Sequence, residues 1–127
     1  MKTTSITLKS LMAKKEAILS AKKDRKTAKV YVKSLDGTVT VSAPELAVVM
    51  EAQEMGAGRG DAYIVYQCVT EPNLKDRELQ EAFGCAEPLD IVEKVFDDGE
   101  IGRVALECMK LAGYAEDSVK LVEDVKN

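Results

Sequence analysis

Histidine is absent from the chain. With it go the Ser-His-Asp and Cys-His catalytic arrangements and every histidine-based zinc site. Cysteine is scarce: Cys68, Cys85 and Cys108 stand apart and are odd in number. Neither a CxxC clamp nor a complete disulfide framework can form from them, and buried free thiols are expected. Long apolar runs are missing too, since a stretch such as Ala47-Val48-Val49-Met50 falls far short of a bilayer span. Thr3, Thr4 and Ser5 follow Met1-Lys2 where a secretory signal would carry its apolar segment. The expectation is a cytoplasmic protein with no membrane partner.

What is present suits one globular domain. The 127 residues are 46% hydrophobic and 31% charged, a composition that folds rather than stays disordered. A chain of this length buries roughly two-thirds of its unfolded surface, enough for a modest core. The net charge of −4 conceals a strong asymmetry. Up to Lys29, nine lysines and arginines face only Glu16 and Asp24, giving +7, whereas the remainder carries nine basic and twenty acidic residues, giving −11. A basic arm on an acidic body fits a nucleic-acid arm, a contact with an acidic surface, or a solvated helix lying over its own body. The arm has no aromatic residue for base stacking, which argues against single-stranded nucleic acid.

Hydropathy periodicity predicts a helix from about Thr7 to Arg25, with Leu8, Leu11, Met12, Ile18 and Leu19 on one narrow stripe. Such a helix needs a partner surface to stay folded. Alternation of Val30 and Val32, then of Val39 and Val41, around Asp36-Gly37 predicts a tight β-hairpin over about 30–41 whose valine face packs on helices. Pro44 and Glu45 open a helix with Leu46, Val49, Met50 and Gln53 inward, which Gly56 stops. The run Gly56 to Asp61 reads as a flexible loop ending in an Asp61 N-cap. Its glycines do not match GxGxxG, and Arg59-Gly60-Asp61 spells an adhesion tripeptide without a secretory setting. Ala62 to Val69 is read as a helix ended by Glu71-Pro72. Further helices are expected over Asp76–Phe83, Pro88–Phe96 (Leu89, Val92, Val95 and Phe96 inward) and Glu100–Ala112. Ile101, Val104, Ala105, Cys108, Leu111 and Ala112 should form the inner face of the last of these, which Gly113 closes with Tyr114 beyond it. Asp117 or Ser118 would cap a final helix with Val119, Val122 and Val125 on one face. The fold class is therefore α+β, mainly α: a hairpin on a bundle of short helices. A basic amphipathic arm over 1–29 precedes one globular domain over 30–127.

Candidate chemistry is thin. Glu87 with Asp90, and Asp97 with Asp98 and Glu100, are the tightest carboxylate groups, and both lie at helix starts, where acids serve the helix dipole. Asp97-Asp98-Gly99-Glu100 lacks the alternating ligands of a calcium loop. No P-loop or nucleophile elbow occurs, so no catalytic, cofactor-binding or metal-binding residue is assigned.

A wider likeness runs through the body. Asp61-Ala62-Tyr63-Ile64-Val65-Tyr66 leads into Glu71-Pro72-Asn73-Leu74-Lys75-Asp76, then Glu78-Leu79-Gln80-Glu81-Ala82-Phe83-Gly84-Cys85 and Glu87-Pro88-Leu89-Asp90-Ile91-Val92. Leu111-Ala112-Gly113-Tyr114 and Val119-Lys120-Leu121-Val122 close it. Together these resemble the XkdN-like tail assembly chaperones of tailed phages and defective prophages, from about Val30 to Asn127. The arm agrees in character more than in residues. The resemblance implies a non-enzymatic protein of the host bacterial cytoplasm, without cofactors. It would bind the helical tape measure protein, help recruit tail tube subunits, and be absent from the finished virion. Self-association is left open. It also implies a second, longer product made by ribosomal slippage, for which Val125-Lys126-Asn127 admits the codons of an A-AAA-AAC heptamer. The alternative is a small prophage-encoded nucleic-acid-binding or regulatory protein that uses the basic arm.

Overall fold

The computed structural model describes residues 4–122. Its elements are helices α1 (Leu8–Ala13) and α2 (Lys15–Lys23), strands β1 (Thr27–Val32) and β2 (Gly37–Ser42), helices α3 (Leu46–Glu54) and α4 (Ala57–Cys68), strand β3 (Val69–Glu71), and helices α5 (Arg77–Ala82), α6 (Asp90–Val95) and α7 (Asp98–Leu111). The expected α+β, mainly helical class holds.

The expected hairpin forms, with Val30 opposite Val39 and Ala28 opposite Val41, a register four residues away from the one a two-residue turn at Asp36-Gly37 would set. Val32, Val39 and Val41 are buried, so the alternation does place valine on the covered face. Its closure differs from the predicted two-residue turn. Lys33–Leu35 make one turn of 3-10 helix, and Asp36 alone takes a left-handed conformation (φ 47°), steadied by the Tyr31 hydroxyl donating to its Oδ1 at 3.0 Å. Gly37 is already the first residue of β2. A third strand was not foreseen: β3 pairs antiparallel with β2, giving the order β1-β2-β3 with an irregularity at Thr40/Val41. Three residues are too few to show an alternation, which is why β3 hides behind the helix signal that precedes it.

α4 is the central element. It packs against α3, α6 and α7, while α7 also lies on β1 and β2. Ala62, Ile64, Val65 and Cys68 of α4 join Ile91, Val92, Phe96, Val104 and Cys108 in one core cluster. The helix expected over Ala62–Val69 is present but starts five residues earlier. Residues 57–61 are helical and not a loop, Gly56 (φ 86°) is the N-cap, and Asp61 lies inside the helix without capping it. The reason lies in packing. A Cβ built at Gly60 would fall within the van der Waals shell of the Ala52 carbonyl oxygen, so α3 and α4 meet at a distance only glycine permits. That contact turns Ala52 and Val49 of α3 inward. Leu46 and Met50, expected inside, are exposed instead.

α7 follows expectation most closely, burying Ile101, Val104, Ala105 and Cys108, although Ala112 is exposed. Gly113 (φ 91°) closes it, with the Gly113 and Tyr114 N–H groups donating to Lys110 and Met109 carbonyls. α6 buries Ile91 and Val92, with Phe96 beyond it, and leaves Leu89 and Val95 only partly covered. The predicted start of a final helix at Asp117 or Ser118 is replaced by a 3-10 turn over Glu116–Ser118, after which Val119 is extended. Val125 and the slippage site at 125–127 lie outside the described residues. In the arm, the single predicted helix is interrupted at Lys14, which ends α1 and begins α2. No helix breaker stands there.

Glu100 ties the hairpin to α7. The Ser34 hydroxyl and amide donate to its Oε1 (2.6 Å) and Oε2 (3.1 Å), and the Asp97 amide donates to Oε1 at 3.0 Å. These bonds, that from the Ser34 side chain foremost, hold the Glu100 carboxyl below the ordinary 4.5. A depressed carboxylate contributes stability above its unfolded pKa and loses it as pH falls through the folded one. Ser34→Ala should therefore raise the Glu100 pKa toward the ordinary value, as read by carboxyl NMR titration; an unchanged titration would mean that the tie is not made in solution.

The glycines of α4 give a paired prediction. Gly60→Ala forces the α3–α4 contact apart and should lower stability by about 2 kcal/mol. A Cβ at Gly58 meets nothing within 4 Å, so Gly58→Ala should raise stability by about 0.5–1 kcal/mol. Urea midpoints that move in the same direction for both would contradict the packing.

Candidate partner-binding surface

The residues singled out as candidate chemistry do not converge. Cys68 and Cys108 are buried, and Cys85 is half-buried and not fully enclosed as expected. The Cys108 thiol is pushed up by its contact with the Cys68 sulfur and by burial, which keeps it protonated and inert. Asp90 accepts from the Glu87 amide at 3.0 Å, a local brace at the start of α6. Asp97, Asp98 and Glu100 begin α7, where the helix dipole and the Ser34 tie account for them. Arg59, Gly60 and Asp61 lie within α4, so the adhesion tripeptide is not displayed on a loop. Among the described residues no cluster of three or more His, Cys, Asp or Glu could hold a metal ion, and no helix is long and apolar enough to cross a membrane.

What the structure does assemble is uncovered apolar surface. Thr7 and Ser10 cap α1 reciprocally, the Ser10 amide donating to Thr7 Oγ1 and the Thr7 amide to Ser10 Oγ. Neither α1 nor α2 buries a residue. The predicted stripe therefore exists but faces solvent: Leu8 is 76% exposed, Met12 68% and Leu19 57%. Lysines flank it on both helices. The arm meets the body chiefly at Arg25, whose Nη1 donates to the Pro44 carbonyl at 3.0 Å and whose Nε lies 3.8 Å from Glu45.

Between arm and body runs a cleft of about 510 Å³. Ile18, Leu46, Leu111 and Tyr114 line it together with Lys22 and Lys26. Leu46 and Tyr114 are themselves exposed. A cleft lined by both apolar and cationic side chains is suited to an amphipathic helix. Sequence reasoning missed the α3 and α7 contributions, because Leu46 was read as core. Only the fold reveals that α3 is rotated.

The residues most specific to the likeness noted above prove to be structural. Leu74 is fully buried, its carbonyl accepts from Gln80 Nε2 at 2.9 Å, and Asp76 caps α5 by accepting from the Leu79 amide at 2.9 Å. The Asn73 side chain accepts from the Lys75 amide at 3.1 Å, which fixes the turn between them. This run holds the fold and offers no reactive group.

Comparison with known proteins agrees with that picture. No curated protein and no solved structure gives a significant match. The family model for the phage XkdN-like tail assembly chaperone protein (TAC) matches residues 3–126, which takes in the basic arm as well as the body. With nearly the whole chain covered, the protein belongs to the XkdN-like family of phage tail assembly chaperones.

Proposed function

We propose that this chaperone binds the tape measure protein of its phage or prophage in the host cytoplasm. It keeps that protein soluble until tail tube subunits assemble around it, and does not stay in the finished virion. The role is one of binding and not of catalysis. The observation that carries this reading is the arm. Leu8, Leu11, Met12, Ile18 and Leu19, spread over α1 and α2, present apolar side chains that the chain's own body leaves exposed. Exposed apolar surface of this extent marks a site for another macromolecule. A long helical protein whose apolar faces lack their final partners presents complementary surface, and covering it suppresses aggregation.

The arm acts as a unit separable from the domain. Strand β1 begins at Thr27 and the Lys26 carbonyl accepts from the Ala43 amide at 2.9 Å, so the cut belongs before Arg25. Deleting residues 1–24 should leave a cooperative melting transition within a few degrees of the parent. Co-expression with the intact chain should move the tape measure protein from the pellet to the soluble fraction, with the two co-purifying. The truncated chain should do so weakly. A tape measure protein equally soluble alone, with nothing co-purifying, would refute the reading.

The second reading, nucleic-acid binding, rests on the same lysines. It requires an affinity for duplex DNA that falls steeply with salt, since each neutralised phosphate releases counterions. The chaperone reading predicts no shift of duplex DNA at physiological salt, because the body opposes the arm with −11.

A further inference from the structure

α3 and α7 flank α4 and leave a groove of about 410 Å³ between them. Val49 and Gln53 of α3 form one wall, Leu106 and Met109 of α7 the other, and Gly60 and Ile64 of α4 the floor. Beyond Asp61 and Gly102, which border both, a second hollow of about 290 Å³ continues past Arg59, Glu93 and Asp98. An apolar hollow and one with more carboxylates thus adjoin at Asp61 and Gly102.

Asp61 marks the change. It is half-buried, and no described lysine or arginine lies within 4.0 Å of it. Arg59, close by, already pairs with Glu87 and Glu93, each at 3.8 Å. Asp61 lies beyond the first turn of α4, so the helix dipole does not account for it, as it does for Asp98 at the start of α7. Gly102 is equally unexplained by the backbone, being helical and without a positive φ. Glycine inside a helix costs about 1 kcal/mol relative to alanine. Here it leaves one side of the Asp61 carboxylate uncovered, where a Cβ at Gly102 would lie in ordinary contact, 3.4 Å from Oδ2. A helix thus carries a destabilising residue beside a carboxylate that lacks a cation, at the end of an apolar groove.

We propose that this groove seats one amphipathic helix of the tape measure protein, its apolar side chains in the cavity and a lysine or arginine against Asp61. The proposal rests on the tape-measure reading above and adds the place and the chemistry of the contact. Apolar residues at three- and four-residue spacing fill such a groove, and a cation one turn away reaches its end. The carboxylates Asp61, Glu93 and Asp98 exceed the single Arg59 in charge, which favours a cationic helix over an acidic one.

The test uses the full chain co-expressed with the tape measure protein, Leu106 being replaced by a photo-crosslinking phenylalanine analogue. The expected crosslink falls on one tape measure segment with apolar residues at helical spacing and a lysine or arginine within a turn of them. Asp61→Lys and Gly102→Leu should each cut the co-purified tape measure protein about tenfold or more with the melting transition retained. Exchanging the partner's lysine or arginine for Asp should restore capture by Asp61→Lys. Crosslinks found only to a second copy of this chain would overturn the proposal, as would variants that bind as the parent does; both leave the tape-measure reading standing. Parent chain that captures no tape measure protein would overturn that reading and this proposal together.

Discussion

The approach of Gly60 to the Ala52 carbonyl governs the helical layer. It lets α3 and α4 cross without a side chain between their backbones, which sets α4 deep enough for Ile64, Val65 and Cys68 to be covered from several sides. α7 and α6 pack on the same helix, and the sheet completes the enclosure through α7. A side chain at position 60 would widen every later contact, because close-packed interiors transmit displacement instead of absorbing it.

Legibility followed the length and regularity of each pattern. The hairpin and α7 could be read because valines alternating over six residues, or apolar positions repeating over four turns, leave one face to bury. A boundary set by glycine was read correctly at Gly113, where a helix ends. The boundary was misread over Gly56–Asp61, where three glycines imply a loop by propensity. There tertiary packing overrode propensity, and Gly60 proved to be a contact residue. The rotation of α3 could not have been inferred, since Leu46 and Met50 are at least as apolar as Ala52, which joins Val49 inside. β3 is too short to carry a pattern. The candidate surface was legible in half: the arm's stripe is written at helical spacing, whereas the cleft beneath it and the groove beside α4 each join residues from separate elements, with α7 far along the chain from the others.

Charge and apolarity are distributed over the molecule in a consistent way. The fully buried interior contains no polar or charged side chain among the described residues, and no buried side-chain polar atom lacks a partner. Charges are thereby confined to the surface, where basic arm and acidic body stay distinct. The ion pairs are exposed and individually weak, so they shape which partners approach more than they hold the fold. The chain's titratable groups serve as caps, as in Asp76, as ties, as in Glu100, and as surface charge.

The arm's sparse attachment at Arg25 has a kinetic consequence. Arm and body share one chain, so a partner touched by the stripe is held beside the body at an effective concentration of millimolar order. On the proposed reading, contacts by the stripe and by the groove would then persist together even where each alone is weak. Loss of either returns the other to its brief solitary lifetime. If the proposed client is held and later released, the arrangement favours release, because a competitor needs to displace only one contact at a time.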